Sequence, residues 1–172
     1  MSKVLKQGFK KNVFFAGRKK ELLITAGGEN VAPVPIEDAI KAELPCISNA
    51  IMIGDRQKFL SVFLTFKVVM DDDTPTNQLS PTVQEWCSSL GRSNLKTVDD
   101  VLLGPDVKIM SAIQKGIDKA NKRAVSNAAR VQRWTILPSD VSIPGGELGP
   151  TLKLKRFYFN KKYNDSIERM YV

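Results

Sequence analysis

Histidine is missing from the sequence of 172 residues. Without an imidazole, serine–histidine and cysteine–histidine catalysis are excluded, and so are most zinc sites. The two cysteines, Cys46 and Cys87, do not form a Cys-x-x-Cys pair, and we expect both thiols to be buried and reduced inside a cell. No apolar run approaches the roughly 18 residues that a membrane-spanning helix needs. The sequence therefore predicts neither histidine chemistry nor a transmembrane segment.

Positive charge is in excess. The formal net charge is +8, which favours anionic partners such as phosphate-bearing small molecules, nucleic acid or acidic membranes. The sequence has neither a Gly-x4-Gly-Lys-Ser/Thr loop nor a strand, Gly-x-Gly-x-x-Gly and helix in succession, so no self-contained nucleotide fold is predicted. Asp71, Asp72 and Asp73 are adjacent carboxylates, but they lack a regular spacing of oxygen ligands. A solvated loop is favoured there over a metal site.

Short apolar runs alternate with turn residues in the first half of the chain. Residues 1–12 are predicted to be a basic, poorly ordered leader, and residues 13–172 to be one small domain. The apolar runs and the prolines then predict strands at Val13–Ala16 and Leu22–Thr25, a loop at Glu29–Pro33, a helix from Pro35 to Leu44 stopped by Pro45, and a strand at Ala50–Ile53 pairing with a long strand at Phe59–Met70.

Helical periodicity dominates the second half. Ser80 fits the N-cap of one of the short helices predicted between residues 80 and 107. Apolar residues recur every three or four positions from residue 107 to Val131, which predicts a helix of about six turns. A strand at Trp134–Leu137 follows, and Asn160 is expected to cap a last helix with Tyr163, Ile167 and Met170 inward. The fold class is therefore α+β, a small β-sheet and hairpin packed with helices.

A second line on the predicted long helix is basic and comprises Lys115, Lys119, Lys122, Arg130 and Arg133. Such a line is ordinarily a solvated helix face. The alternative is a contact with phosphates of a ligand or with anionic lipid headgroups. Lys115, Lys119 and Lys122 are the candidates for that contact.

A glycine-rich stretch from Pro144 to Arg156 reads PGGELGPTLKLKR. Its glycines can bring the backbone close to a ligand, and in an extended segment Lys153 and Lys155 share one face while Leu152 and Leu154 share the other. One interpretation is a surface loop leading into a helix. The other is a mobile loop that delivers one ammonium group to an anionic substrate. The loop glycines are Gly145, Gly146 and Gly149.

Two motifs in this order resemble a known family. The stretch GRKKELLITAGGENVAPVPIE from Gly17 to Glu37 resembles the opening of the C-terminal domain of the adenylate-forming (AMP-binding) enzymes, and PGGELGPTLKLKR resembles its catalytic-lysine loop. The phrases ITAGGENV and GGELGP…KLKR, with the helical insertion between them, are similar to the bubblegum type of long-chain acyl-CoA synthetase. The resemblance extends from Gly17 to about Tyr171.

The resemblance implies an AMP-forming long-chain fatty acid–CoA ligase whose small domain rotates between two half-reactions. Lys153 matches the adenylating lysine, which would stabilise negative charge at the α-phosphate. Arg18 matches the arginine that contacts the nucleotide, and Lys19 and Lys20 fall at the hinge. The coenzyme A path would be lined by the glycine-rich hairpin, Ala26, Gly27, Gly28, Glu29 and Asn30.

The same resemblance implies partners. Fatty acid, ATP with Mg²⁺ and coenzyme A are the expected ligands, with ATP and Mg²⁺ bound mainly by a large N-terminal domain that this sequence lacks. The chain alone is then expected to be inactive. A cytoplasmic location is implied, with peripheral contact to the endoplasmic reticulum or another anionic intracellular membrane as an option.

Two other function classes stay open. One is a non-catalytic module that binds coenzyme A or another phosphate ligand, although Lys153 and Arg18 together favour the ligase. The other is a basic nucleic-acid-binding domain. Aromatic residues do not interleave with the basic ones as stacking platforms would, so no nucleic-acid partner is expected. Salt-sensitive DNA binding would favour this last alternative.

Overall fold

The structure is a computed structural model, and it describes residues 21–172. The predicted leader, the strand at Val13–Ala16 and the residues Arg18, Lys19 and Lys20 lie outside the described residues. In chain order the elements are β1 (Leu23–Ile24), β2 (Asn30–Val31), α1 (Pro33–Glu43), β3 (Ile47–Ile53), β4 (Leu60–Phe66), β5 (Val68–Asp71), β6 (Thr74–Leu79), α2 (Pro81–Ser89), α3 (Val98–Leu102), α4 (Val107–Asn121), β7 (Val131–Ile136), α5 (Arg156–Lys162) and α6 (Asn164–Tyr171). This arrangement confirms the α+β class.

The central sheet has the strand order β3–β4–β7. Strands β3 and β4 are antiparallel, with Ala50 opposite Leu64, and β4 and β7 are parallel, with Phe63 opposite Thr135. Every residue of β4 is buried, as expected for the middle strand of a sheet covered on both faces. The predicted pairing of the two strands on either side of Gly54 is confirmed.

Strand β4 separates two hydrophobic cores. Side chains of successive strand residues point to opposite faces. Leu60, Val62 and Leu64 belong to a first core with α1, α2, α3 and α4, whereas Phe63 belongs to a second core with α5 and α6. Both faces of the small sheet are therefore covered by helices.

Proline sets both limits of α1. Pro33 occupies the first turn, where its missing N–H costs no hydrogen bond, and Pro45 follows immediately after the C-cap, Leu44. The helix begins two residues before the predicted Pro35. Its buried Ile40 and Leu44 pack in the first core, as the apolar spacing indicated.

The predicted long strand at Phe59–Met70 is wrong, because β4 ends at Phe66 and the exposed Lys67 separates it from β5. Strand β5 pairs with β6 in a separate two-stranded hairpin. Asp72 and Asp73 have φ values of 42° and 63°, and they form the two-residue turn. Aspartate tolerates such left-handed conformations, so the acidic run makes a tight, exposed hairpin turn.

The predicted six-turn helix is also wrong beyond its fourth turn. Helix α4 ends at Asn121, whose side-chain amide donates to the Val131 carbonyl (2.9 Å) and accepts from the Val131 amide (2.8 Å). This pair of bonds folds the chain back, and Val131 begins β7. Ala124 and Ala128, which continue the helical spacing in sequence, lie in the connection between α4 and β7.

Two smaller corrections concern the ends of the domain. Asn30 and Val31, predicted as part of a loop, form β2 and pair with β1. Asn160 is not an N-cap but lies inside α5, because the helix already begins at Arg156. The inward orientation predicted for Ile167 and Met170 is confirmed, since both pack in the second core.

None of the helices between residues 21 and 172 combines the length and the apolar composition that crossing a bilayer requires.

Helices α1 and α4 approach closely at Gly116, which gives a testable prediction. A Cβ added there would lie 2.5 Å from Cγ of the buried Leu44. Gly116→Ala should therefore lower the free energy of unfolding by about 1–3 kcal/mol, despite the better helix propensity of alanine. Chemical denaturation measures the change. Gly104→Ala is the control, since a Cβ at Gly104 meets no atom within 4 Å; an unchanged stability for Gly116→Ala would contradict the packing.

Candidate functional site

The loop that carries Lys153 is folded into a short hydrogen-bonded arm. The Lys155 amide donates to the Glu147 carbonyl (2.7 Å), and the Gly149 amide donates to the Lys153 carbonyl (2.8 Å). Leu148 and Leu154 form a β-bridge between these two bonds. We call residues 147–155 the lysine arm. The stretch predicted as a loop therefore contains a short hydrogen-bonded hairpin.

Only part of the predicted alternation along this arm is correct. Lys153 and Lys155 are both exposed, and Leu154 packs against the second core. Leu152, predicted to share the inward face, is 68% exposed and has a φ of 60°, because it lies in the turn at the tip of the arm. The amide of Leu152 donates to the Gly149 carbonyl (2.9 Å) and closes that turn.

A buried carboxylate holds the base of the lysine arm. Glu147 is 2% exposed, and its Oε1 accepts from Lys162 Nζ (2.5 Å) and Tyr163 Oη (2.9 Å). Its Oε2 accepts from the Ser142 amide (3.4 Å). Burial alone would raise the pKa of Glu147, but the hydrogen bonds, led by the one from Lys162, together hold that pKa below its ordinary value. The carboxylate is therefore ionised at neutral pH.

The pKa of Tyr163 is shifted in the opposite direction to that of Glu147. Burial and the bond to the Glu147 carboxylate raise the pKa of the Tyr163 hydroxyl, so the hydroxyl stays protonated and donates. The ring of Tyr163 also packs against Phe63 and Phe159 in the second core. The polar contacts of Glu147 thus reach directly into the aromatic part of that core.

The basic residues of the loop differ in their partners. Arg156 donates to Glu37 Oε1 (2.7 Å) and to the Met52 carbonyl (3.2 Å). Lys153 and Lys155 form no ion pair with any carboxylate among residues 21–172. Their ammonium groups therefore remain available for an anionic ligand.

The predicted coenzyme A motif is the turn between β1 and β2. Ala26, Gly27, Gly28, Glu29 and Asn30 are all exposed. Gly28 has a φ of 79°, which favours glycine, and a Cβ there would meet no atom within 4 Å. The turn is held at its base, where the Thr25 amide donates to the Glu29 carbonyl (3.0 Å) and the Ala26 amide to the Gln57 carbonyl (2.9 Å). It presents open backbone to solvent.

A mostly apolar cavity of about 440 Å³ lies beside this turn. It is bounded by β2, by α1 and by the chain that follows α4. Asn30 lines it, so the glycine-rich turn and the cavity are continuous.

The glycine-rich turn and the lysine arm are anchored in different cores. Leu23 and Val31, which anchor the β1–β2 turn, pack in the first core, whereas Leu148 and Leu154 of the lysine arm pack against the second.

The predicted basic line is not a continuous helix face. Lys115 and Lys119 are exposed on α4, and the exposed Lys122 follows its last residue. Arg130 precedes β7, and Arg133 lies within β7 and donates to the carbonyls of residues 170 and 172. Only the first three residues keep the predicted arrangement. Within the described part of the chain, no group of three His, Cys, Asp or Glu side chains could hold a metal ion.

Sequence reasoning missed the contacts of Glu147 with Lys162 and Tyr163. The available signal was a single carboxylate inside a loop otherwise rich in glycine and lysine. This carboxylate alone does not predict its partners, because Lys162 and Tyr163 lie 15 and 16 residues away and follow no helix or strand period. The pairing of Arg156 with Glu37, 119 residues apart, could not be predicted from the sequence either.

Comparison with known proteins concerns the family of the chain and its fold. Residues 20–94 match the family described as AMP-binding enzyme C-terminal domain. The chain is 48% identical over 161 residues to the long-chain-fatty-acid–CoA ligase ACSBG2 of Xenopus laevis, covering 92% of this chain and 22% of that protein. It is 46% identical over 174 residues to ACSBG2 of Gallus gallus, covering 100% and 22%. The human ligase ACSBG1 is 48% identical over 161 residues, with 92% and 22% covered.

Solved structures support the fold alone. The adenylation domain of a carboxylate reductase from Mycobacterium chelonae superimposes with a TM-score of 0.61 at 19% identity, over 88% of this chain and 19% of that one. The A domain of a carboxylic acid reductase from Segniliparus rugosus, in complex with AMP and a co-purified carboxylic acid, superimposes with a TM-score of 0.60 at 18% identity. The match covers 90% of this chain and 20% of that one. The chain thus spans about a fifth of the length of the relatives it matches. Its residues 20–94 belong to the family of AMP-binding enzyme C-terminal domains.

Proposed function

We propose that this chain is the C-terminal domain of an AMP-forming long-chain fatty acid–CoA ligase. The observation that carries the proposal is Lys153, an exposed ammonium beside the tip of the arm that forms no ion pair among residues 21–172. The chain is also 46–49% identical to proteins named as long-chain-fatty-acid–CoA ligases. The domain supplies this lysine for adenylation of the fatty acid. It supplies the glycine-rich turn, Ala26 to Asn30, for the thioester step.

The reaction divides into two displacements. The fatty acid carboxylate attacks the α-phosphate of ATP, and pyrophosphate leaves. The thiol of coenzyme A, losing its proton, then attacks the acyl carbon, and AMP leaves. Negative charge gathers around the α-phosphate in the first step, and the Lys153 ammonium is placed to stabilise it. The exposed backbone at Gly27 and Gly28 allows the pantetheine chain to pass closely in the second.

The separate anchoring of the β1–β2 turn and the lysine arm supports alternation between these steps. A rigid domain can present either the lysine arm or the β1–β2 turn to one active site, depending on its rotation. Lys19 and Lys20 are proposed as the hinge, and Arg18 as a nucleotide contact; all three precede the described residues. ATP and Mg²⁺ are proposed to be bound mainly by a large N-terminal domain, against which this domain rotates.

The location of the enzyme also belongs to the proposal. A cytoplasmic enzyme with peripheral contact to an anionic membrane, such as that of the endoplasmic reticulum, fits the excess of positive charge. Lys115, Lys119 and Lys122 are the exposed residues proposed for such a contact, or for one with the phosphates of coenzyme A.

Replacement of Lys153 tests the adenylation role. In a full-length ligase that carries this domain, Lys153→Ala should slow fatty acid adenylation by a hundredfold or more, about 3 kcal/mol of transition-state stabilisation. The KM for ATP should change much less, because the contact strengthens as charge develops. ATP–pyrophosphate exchange measures this step, and thioester formation from a supplied acyl-adenylate measures the other.

The matched control for Lys153 is Lys155→Ala, which removes a neighbouring exposed ammonium from the same arm. The control should retain adenylation. A crippled Lys155→Ala variant, or equal slowing of both half-reactions by Lys153→Ala, would refute the assignment of Lys153.

Charge reversal tests the basic residues of α4. Lys115, Lys119 and Lys122 are exposed, so changing all three to glutamate should leave the melting temperature within a few degrees of the parent. The full-length enzyme should lose apparent affinity for coenzyme A or for liposomes with anionic lipid, and the loss should be larger at low salt. If both affinities are unchanged, these lysines form an ordinary solvated face.

A further inference from the structure

Several side chains meet the buried Glu147 at the base of the lysine arm. Glu147 accepts hydrogen bonds from Tyr163 at Oε1 and from the Ser142 amide at Oε2. Lys162 Nζ, which also bonds Glu147, donates to the Gly145 carbonyl. We propose that Glu147, Lys162 and Tyr163 form a positioning clamp that sets the direction and reach of Lys153. This inference rests on the proposed role of Lys153 in adenylation.

The clamp is connected to Lys153 through the backbone. The side chain of Glu147 is fixed by Lys162 and Tyr163, at the end of α5 and immediately after it. The carbonyl of the same residue accepts from the Lys155 amide (2.7 Å), and the Lys153 carbonyl accepts from the Gly149 amide (2.8 Å). A shift at Glu147 is therefore passed along both strands of the arm to the lysine.

Lys162 secures the segment before the arm as well. Its ammonium donates to the Gly145 carbonyl (3.1 Å) in addition to Glu147. Space at this point is limited, because a Cβ on Gly145 would overlap the Glu147 carboxylate and would come within 2.9 Å of Ser142 Oγ. The carboxylate is thus closely packed, and moving it would break these contacts.

Apolar packing alone does not fix the arm. Leu148 and Leu154 are its apolar contacts with the second core, and both are only half-buried. The fully buried members of that core, such as Phe63 and Phe159, lie outside the arm. A buried ion pair is weak evidence for stability, since an apolar replacement is often as stable. Here the geometry of the Glu147–Lys162 ion pair determines the direction of the lysine arm, whose tip lies in solvent.

The clamp predicts different effects on the rates of the two half-reactions. Adenylation needs the ammonium at the α-phosphate within a narrow range of positions, and a displacement of about 1 Å can cost about a hundredfold in rate. Thioester formation, in the other orientation of the domain, does not use the arm. Weakening the clamp should therefore slow the first half-reaction alone.

Lys162→Met in a full-length ligase carrying this domain is the direct test. The substitution keeps the aliphatic stem and removes the ammonium that bonds Glu147 and Gly145. Adenylation turnover should fall by about tenfold to a hundredfold, while the KM for ATP and the thioester half-reaction change by less than about threefold. Lys161→Met is the matched control, a neighbouring exposed lysine of α5, and it should leave both half-reactions unchanged.

A double variant separates positioning from general stability. If the clamp acts through Lys153, then Lys162→Met should cost little further adenylation rate in a Lys153→Ala background. Hydrogen exchange at the Gly149 and Lys155 amides provides a readout without activity, and both amides should exchange faster in Lys162→Met. Tyr163→Phe, which keeps the ring and removes one bond to Glu147, should show the same changes to a smaller degree.

The outcomes distinguish the two proposals. If Lys153→Ala retains adenylation, the proposed role of Lys153 fails, and the clamp has no function to position. If Lys153→Ala is inactive but Lys162→Met adenylates normally, the clamp is refuted while the role of Lys153 stands. Equal slowing of both half-reactions by Lys162→Met, or full additivity with Lys153→Ala, would also refute the clamp, since it would indicate a general structural effect.

Discussion

Complete burial of β4 on both faces is the constraint on which the other elements depend. Its residues alternate between two cores, so each face of a narrow three-stranded sheet must be covered by helices. Helices α1 and α4 pack on one face, and α5 and α6 on the other. These helices come from distant parts of the sequence, yet they form only two layers, one on each side of β4.

This division also determines where the two functional motifs lie. The β1–β2 turn is anchored in the first core and the lysine arm in the second. Arg156, at the start of α5, bonds Glu37 of α1 and the Met52 carbonyl of β3, so one side chain ties the two helical layers together across the sheet. In the proposed reaction this domain would rotate as one body, and the rotation would exchange the motif that it presents.

Features encoded by neighbouring residues could be predicted from the sequence. Pro45 marked the end of α1, and Ser80 caps α2 as expected, with its side chain accepting from the Val83 amide. The errors arose where distant contacts decide the outcome. Asn121 ends α4 by bonding Val131, and no helical period reveals that pairing. The candidate lysine could be identified by its motif, but the carboxylate that orients its arm could not, since its partners lie on a different helix.

The pairing of charges around the arm explains how a strongly basic surface can be selective. Lys153, Lys155, Arg156 and Lys162 are close in sequence, and like charges repel one another and compete for the same anion. Glu147 engages Lys162, and Glu37 engages Arg156, so the cations at the base are neutralised within the protein. The unpaired charge is thereby concentrated at Lys153 and Lys155 on the exposed part of the arm. In a chain of net charge +8, the buried Glu147 thus neutralises one cation at the base of the arm and leaves the exposed lysines charged.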